Sequence, residues 1–360
     1  MDGITNNAYR TMCSDVFYNA KNIYQNTHKL RLFTEFMSVE WYVRHPEKLS
    51  RHLLTTQWQY PVVAQIYWWD HDNLLQTAVD IDHKYKEFEG IELNIGCPSP
   101  RIMSCEAGSW MLRCRPKTLN IIKTISSSIR KPFSIKTRAW LTQEDKQEQF
   151  DFIIESAYHC RMITVHGRTY KQSHSGEVDR DFIIKVKHEL IRRDLRDVII
   201  IWNWWLKSVD DWLGYLNELD GIMLGQAAMN SPWTLTNYSP SIEELYAHTL
   251  RHLHLNLANE RYFNYSDSFD TNTNTLQQPS QDTLQTIIHN IQNGTNNAEQ
   301  IGEYKKRHSL IEFRKHLFRY VTWLPWNAEF KRSVAVIEQY EPLLETIHNY
   351  FRSLPKTWQQ

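Results

Sequence analysis

A chain of 360 residues with 41 Lys plus Arg and 41 Asp plus Glu carries no formal net charge, so any contact with a polyanion must be a local patch. Its five cysteines, Cys13, Cys97, Cys105, Cys114 and Cys160, include no CxxC pair, which argues against a disulfide framework and a zinc ribbon and for a reducing compartment. No run of about 18 apolar residues and no basic-then-apolar leader pattern occur, so the expectation is a soluble cytoplasmic protein with no membrane partner and no metal.

The chain opens on Met1-Asp2-Gly3-Ile4-Thr5, read as a loop that runs into a helix. Short apolar or β-branched runs then alternate with amphipathic ones. Leu30–Phe36, Pro61–Tyr67, Gly90–Ile95, Pro132–Thr137, Met162–Val165, Asp197–Ile201 and Asp220–Leu224 read as strands. Asn73–Tyr85, Lys117–Ile129, Gln147–His159, Arg180–Arg193 and Val209–Leu219 read as helices between them. Such alternation predicts βαβ units and a parallel sheet. The seven strands are one short of a (β/α)8 TIM barrel; the missing first strand would lie upstream, so the chain as written is expected to start late.

Beyond Leu224 the character changes to helices at Ser241–Ala258, Ser309–Tyr320 and Val334–Phe351. Residues 1–235 are therefore expected to form the barrel and residues 236–360 a helical domain. The Asn/Thr/Gln-rich stretch around 264–297 has little apolar content and is expected to be a mobile insertion, with Asp282–Ile291 able to form a short helix. Lys305, Lys306, Arg307, Arg314 and Lys315 concentrate positive charge on the C-terminal helices. Taken alone, that charge reads as a solvated helix face.

The most informative stretch is Asn94-Ile95-Gly96-Cys97-Pro98, followed by Ala107-Gly108-Ser109. A strand stops at glycine, which permits close approach, and proline fixes the chain beyond the sulfur. A lone cysteine is most often a small buried apolar residue. Here the thiol stands at a strand mouth, where barrel chemistry collects. Other strand ends are also polar: Gln65, Lys136-Thr137-Arg138, His166-Gly167-Arg168, Asn203 and Gly225-Gln226.

This set, in this order, resembles the FMN-binding barrel of the tRNA-dihydrouridine synthases along nearly the whole chain. Thr34-Glu35-Phe36-Met37, Ser231-Pro232-Trp233 and Arg314-Lys315-His316-Leu317 belong to the same pattern. The resemblance implies a (β/α)8 barrel followed by a helical tRNA-binding domain, acting as a monomer. It also implies reduction of tRNA uridines to 5,6-dihydrouridine by FMN, with NADPH as electron donor. Met1, Gln65, Lys136, His166, Asn203, Trp204, Trp205, Gly225 and Gln226 would hold FMN. Lys136 would stabilise the anionic reduced ring, and the Asn203–Trp205 turn with Gly225-Gln226 would cradle the phosphate. Hydride would go to C6 of the uracil while Cys97 protonates C5; an ordinary thiol is protonated at neutral pH. A uridine must leave its stack to reach the ring, so tRNA must be gripped from outside the barrel. Asn94, Arg101, Arg138, Arg168, Lys305, Lys306, Arg307, Arg314 and Lys315 are the implied tRNA contacts.

The chain holds 11 Gly and 14 Trp, whereas average glycine usage of about 7% would give about 25 Gly. Trp41, Trp68, Trp69, Trp110, Trp140, Trp202, Trp204, Trp205, Trp323 and Trp326 stand where the family pattern has glycine or another small residue. Indoles at Trp204 and Trp205 would crowd a phosphate cradle. One cause accounts for both the deficit and the excess: UGA read as glycine in the source and written here as tryptophan. Gln226, where arginine is usual, and Glu106, where glycine is usual, are separate departures. A dihydroorotate dehydrogenase-like FMN barrel and, if the tryptophans are real, a flavin-free tRNA-binding paralogue remain the alternatives.

Overall fold

A computed structural model describes residues 3–19, 21–24, 26–169, 172, 178–203, 218–265, 268–293 and 303–355. The chain forms two compact units, one of Arg31–Leu53 with Tyr60–Gly225 and one of Met1–Leu30, Leu54–Gln59 and Gln226–Gln360. The first helix, α1 (Asn7–Phe17), belongs to the second unit and is capped by Asn6, whose side chain accepts the N–H of Tyr9.

The sheet unit begins with β1 (Leu32–Phe33), β2 (Met37–Ser38), α2 (Val39–Arg44) and α3 (Pro46–Leu49). It continues through β3 (Val62–Tyr67), α4 (His71–Lys84), β4 (Gly90–Asn94), α5 (Pro100–Met103) and α6 (Arg115–Ser128). Then follow β5 (Phe133–Arg138), α7 (Lys146–Ala157), β6 (Met162–His166), α8 (Arg180–Arg192), β7 (Ile199–Asn203) and β8 (Gly221–Met223). Every pairing is parallel and spatial order follows chain order, as Val63↔Gly90, Ile91↔Phe133, Ser134↔Met162, Met162↔Ile199 and Ile201↔Gly221 record. Strand, helix and neighbouring parallel strand repeat in chain order, the arrangement of a TIM-like barrel. Among the described residues no pairing joins β8 to β1.

Of the expected strand Leu30–Phe36 only Leu32–Phe33 pairs as strand; a second short piece, Met37–Ser38, lies just beyond it, and both pair with β3. Thr34 lies between them, and its hydroxyl accepts the Gln65 N–H at 2.9 Å, taking the place of a ladder bond. The expected helix Val209–Leu219 falls almost wholly outside the described residues.

The helical unit adds α9 (Gln226–Asn230), α10 (Ile242–Tyr265), the antiparallel pair β9 (Phe269–Asp270) and β10 (Thr275–Leu276), and α11 (Gln281–Gln292). It ends with α12 (Glu303–Tyr320), α13 (Asn327–Ala335) and α14 (Tyr340–Ser353). Leu245, Leu253, Leu317, Val334, Leu343 and Ile347 lie in its buried core. The described part of the polar 264–297 stretch carries the hairpin and α11, because Leu276 and Leu284 supply just enough apolar anchor. The span expected as one helix from Val334 to Phe351 is two, since extended backbone at Gln339 interrupts it before Tyr340. Helix α1 is tied to α10: Asn7 Nδ2 donates to Asn259 Oδ1 at 2.8 Å, and Ala8 and Met12 pack on Leu255.

Candidate active site

Because all strands of the sheet run the same way, Tyr67, Asn94, Arg138, His166, Asn203 and Met223 end at one edge. Cys97 lies three residues beyond the end of β4, on a loop held at the backbone N–H and carbonyl of both Gly96 and Cys97. Asn94 Oδ1 accepts the N–H of Gly96 at 3.1 Å and that of Cys97 at 3.0 Å. Arg138 Nε donates to the Gly96 carbonyl at 2.9 Å. The Cys97 carbonyl accepts both the N–H and the hydroxyl of Ser109, each at 3.0 Å.

Two glycines let this loop close. A Cβ at Gly96 would lie 3.0 Å from the Thr137 carbonyl carbon. Gly108 has φ +61°, and a Cβ there would stand 2.6 Å from the Cys97 carbonyl oxygen, closer than real contacts allow. The Gly-Cys-Pro segment is thereby fixed against β5 and against the Ala107-Gly108-Ser109 turn, while Cys97 itself stays partly accessible. Rigid backbone around an accessible thiol is the geometry that proton donation requires.

Beneath the loop lies a polar chain within the sheet. Gln65 and Glu92 are register partners across β3 and β4, and Asn94 pairs in register with Lys136 of β5. Gln65 Nε2 donates to Glu92 Oε2, and Asn94 Nδ2 donates to Gln65 Oε1 at 3.2 Å. Glu92 is fully buried, and burial pushes its carboxyl up to about 7, against the opposing pull of the Gln65 amide and the Lys136 charge. Enclosure draws Lys136 down to about 8, Glu92 opposing that shift and Arg138 adding to it. Among the described residues the Lys136 ammonium has no hydrogen bond or ion pair, so an enclosed cation lies within electrostatic reach of Glu92 and Cys97.

The remaining predicted site residues are placed as follows. His166 ends β6 and is partly buried. Arg168 is buried, which lowers its pKa. Arg138 is also buried, with Nη1 donating to the Thr169 carbonyl at 2.9 Å. Arg101 is exposed on α5. Asn203 Nδ2 bridges strands by donating to the Met223 carbonyl at 2.8 Å. A Cβ at Gly225 would meet nothing within 4 Å among the described residues.

In the helical unit, Gln226 begins α9. Arg314 is buried, its guanidinium donating to the Val334 carbonyl at 3.2 Å and to that of Ala335. Lys315 pairs with Glu312 at 2.6 Å. Met1, Trp204 and Trp205 lie outside the described residues, as do the side chains of Lys305, Lys306 and Arg307.

The eight suspect tryptophans that are described divide by environment. Trp326 has φ +55°, a conformation favouring glycine, and its side chain is 58% exposed. Trp41 is 52% exposed. Trp140 is buried with its indole N–H lacking a partner among the described residues, though its ring meets Phe182 edge-on at 5.0 Å. Trp202 fills the interior of β7. Glu106, at φ +56°, occupies another left-handed position, which explains why glycine is the natural choice there.

Sequence reasoning missed the part played by Glu92. Its signal was present: an acidic residue in the middle of the otherwise apolar run Gly90-Ile91-Glu92-Leu93.

A family profile described as Dihydrouridine synthase (Dus) matches residues 1–354. The chain belongs to the dihydrouridine synthase family. Relatives within reach of sequence comparison agree. The chain is 29% identical over 250 residues to tRNA-dihydrouridine synthase B of Pasteurella multocida, covering 68% of each. It is 25% identical over 244 residues to a probable tRNA-dihydrouridine synthase of Aquifex aeolicus, covering 66% of this chain and 70% of that one. A probable tRNA-dihydrouridine synthase of Rickettsia conorii is 24% identical over 272 residues, 74% of this chain and 70% of the relative. The expected barrel-plus-helices fold is that of a Dus protein. Among the described residues no helix is long and apolar enough to cross a membrane, and no group of His, Cys, Asp and Glu is placed to hold a metal ion.

Proposed function

We propose that this Dus-family chain reduces uridines of tRNA to 5,6-dihydrouridine, with FMN as cofactor and NADPH as electron donor. The observation that carries the proposal is Cys97: a partly accessible thiol on a loop pinned at Gly96 and Cys97, at the sheet edge that also carries Lys136. Lys136 fits the electron-rich edge of a flavin ring, since among the described residues no anion is bonded to it and its pKa of about 8 leaves it a cation at neutral pH. His166 ends β6, the strand beside that of Lys136, and Gln65 lies on β3, two strands away on the other side; both would line the same ring. Asn203 and Gly225, with Met1, Trp204, Trp205 and Gln226, make up the rest of the proposed cofactor set.

A bound flavin supplies the two electrons that saturate the C5–C6 bond of uracil. The chain supplies the proton and the geometry. Cys97 holds the proton at Sγ and delivers it to C5; the resulting thiolate regains a proton from solvent. Asn94, Arg138 and Ser109 keep that sulfur at one place relative to the strand ends. Lys136 stabilises negative charge that develops beside it, an effect strengthened in an enclosed site.

Residues 1–235 are proposed as the catalytic part and 236–360 as the tRNA-binding part, in a cytoplasmic monomer. Exposed Arg101 and the cationic run Lys305-Lys306-Arg307 with Lys315 would meet phosphates. Asn94, Arg138 and Arg168 would shape the pocket that receives the flipped base; Arg314 would hold the basic helix α12 against α13. The test is the purified protein with FMN, NADPH and unmodified tRNA, dihydrouridine being measured by mass spectrometry. Dihydrouridine formation together with a flavin absorbance spectrum supports the proposal. Flavin binding with turnover of a free pyrimidine but not tRNA would indicate the dihydroorotate dehydrogenase-like reading; tRNA binding without flavin would indicate the paralogue.

A further inference from the structure

Glu92 is an anomaly of burial. Its carboxyl lies inside the sheet, where one oxygen accepts from Gln65 and the Thr164 hydroxyl and the Lys136 charge also favour its ionised form. A carboxyl buried this completely normally has a specific role, because an apolar residue is cheaper to accommodate there.

The hydrogen-bond directions suggest the role. A carboxylate only accepts, so Gln65 must present Nε2 to it. The Gln65 oxygen is thereby turned toward Asn94, whose Nδ2 donates to it at 3.2 Å. With Nδ2 engaged, Asn94 has Oδ1 left for the thiol loop, and that oxygen accepts the N–H groups of Gly96 and Cys97. Each amide in the series has two ways round, and one terminal acceptor selects a single orientation for both.

We infer that Glu92 is a positioning residue: through the fixed orientations of Gln65 and Asn94 it sets the geometry of the loop that presents the Cys97 thiol. The inference deepens the proposed function and rests on it for its catalytic consequence alone; the effect on the loop stands independently.

Two variants test it, Glu92→Leu, which fills the space without an acceptor, and Glu92→Gln, which keeps an acceptor oxygen. The first readout is the alkylation rate of Cys97 by iodoacetamide, resolved by peptide mass spectrometry, with Cys105 and Cys114 as internal references. Glu92→Leu removes a buried carboxyl but leaves the Gln65 amide without its acceptor, so thermal denaturation first establishes that it folds. It should change the Cys97 rate at least threefold and leave the other two cysteines unchanged. Glu92→Gln should lie closer to wild type. Dihydrouridine formation should fall about tenfold in kcat for Glu92→Leu, with KM for tRNA unchanged. An unaltered Cys97 rate in both folded variants overturns the inference. Should Glu92→Leu fail to fold, an unaltered rate in Glu92→Gln combined with Gln65→Leu overturns it equally. A changed Cys97 rate in a protein whose wild type makes no dihydrouridine would instead remove the proposed function and leave the positioning role intact.

Discussion

Asn94 Oδ1 accepts the backbone N–H of Cys97 at 3.0 Å, so the last residue of β4 holds the thiol three residues beyond it. Asn94→Ala removes that bond and the one to Gly96. Each freed N–H then loses a buried partner, a loss of about 1–3 kcal/mol per group. The expected result is a lower denaturation midpoint together with a displaced Cys97, read as altered alkylation of that cysteine.

Gly108 supports the same loop from the other side. At φ +61°, with a Cβ 2.6 Å from the Cys97 carbonyl oxygen, Gly108→Ala meets both strain and a clash. We expect destabilisation of about 1–3 kcal/mol, the order of a sterically incompatible backbone. Gly225→Ala meets nothing within 4 Å among the described residues and serves as the comparison, with stability near wild type. Chemical denaturation of the two variants checks the contrast.

Acid should unfold the helical unit before the sheet unit. Burial drives His248 down to about 3 and His254 to about 4, and holds His252 well below its ordinary value. These histidines are neutral when folded and protonate freely when unfolded. Their full contribution is therefore present above pH 6.5, and it is lost as pH falls from there toward the folded values. Each adds a slope of up to about 1.4 kcal/mol per pH unit in that window. Amide exchange at pH 5 against pH 7 should show α10 losing protection ahead of β4 and β5. Equal protection at both values would contradict the assignment.

The tryptophan positions make a chemical prediction about the natural protein. Trp326 sits at φ +55° with its ring largely in solvent, and Trp140 buries an indole N–H without a partner among the described residues. Glycine satisfies the first position without strain and removes the orphan donor at the second. Mass spectrometry of protein isolated from its source is expected to find glycine at both, and at Trp204 and Trp205. Tryptophan at these sites would remove the recoding explanation and with it the case for a glycine-built phosphate cradle.

Much of this architecture was legible in the residues. Strand and helix alternation placed six of the strands within two residues of their observed ends, because β-branched runs and amphipathic runs differ clearly in period. The Asn-x-Gly-Cys-Pro loop and the downstream Gly-Ser turn were legible because glycine is required there by φ and by close approach. What escaped was long-range hydrogen bonding. Nothing local in Thr34 says that its hydroxyl replaces a ladder bond to Gln65, and nothing local in Arg138 says that it clamps the Gly96 carbonyl. The break between α13 and α14 was also invisible, since Val336–Gln339 contains neither glycine nor proline. Membership of α1 in the helical unit depends on Asn7–Asn259, a pairing across 252 positions that no periodicity reports.

The central claim is that Cys97 protonates a tRNA uracil. Its most direct test is dihydrouridine in the tRNA of a bacterial strain lacking its own dihydrouridine synthases and expressing this protein with glycine at the ten suspect tryptophans. The account predicts dihydrouridine with the otherwise unaltered chain, and about 10²–10⁴-fold slower formation for Cys97→Ala with flavin still bound. Flavin-loaded protein that leaves every tRNA without dihydrouridine, or a Cys97→Ala variant as fast as its parent, would contradict it.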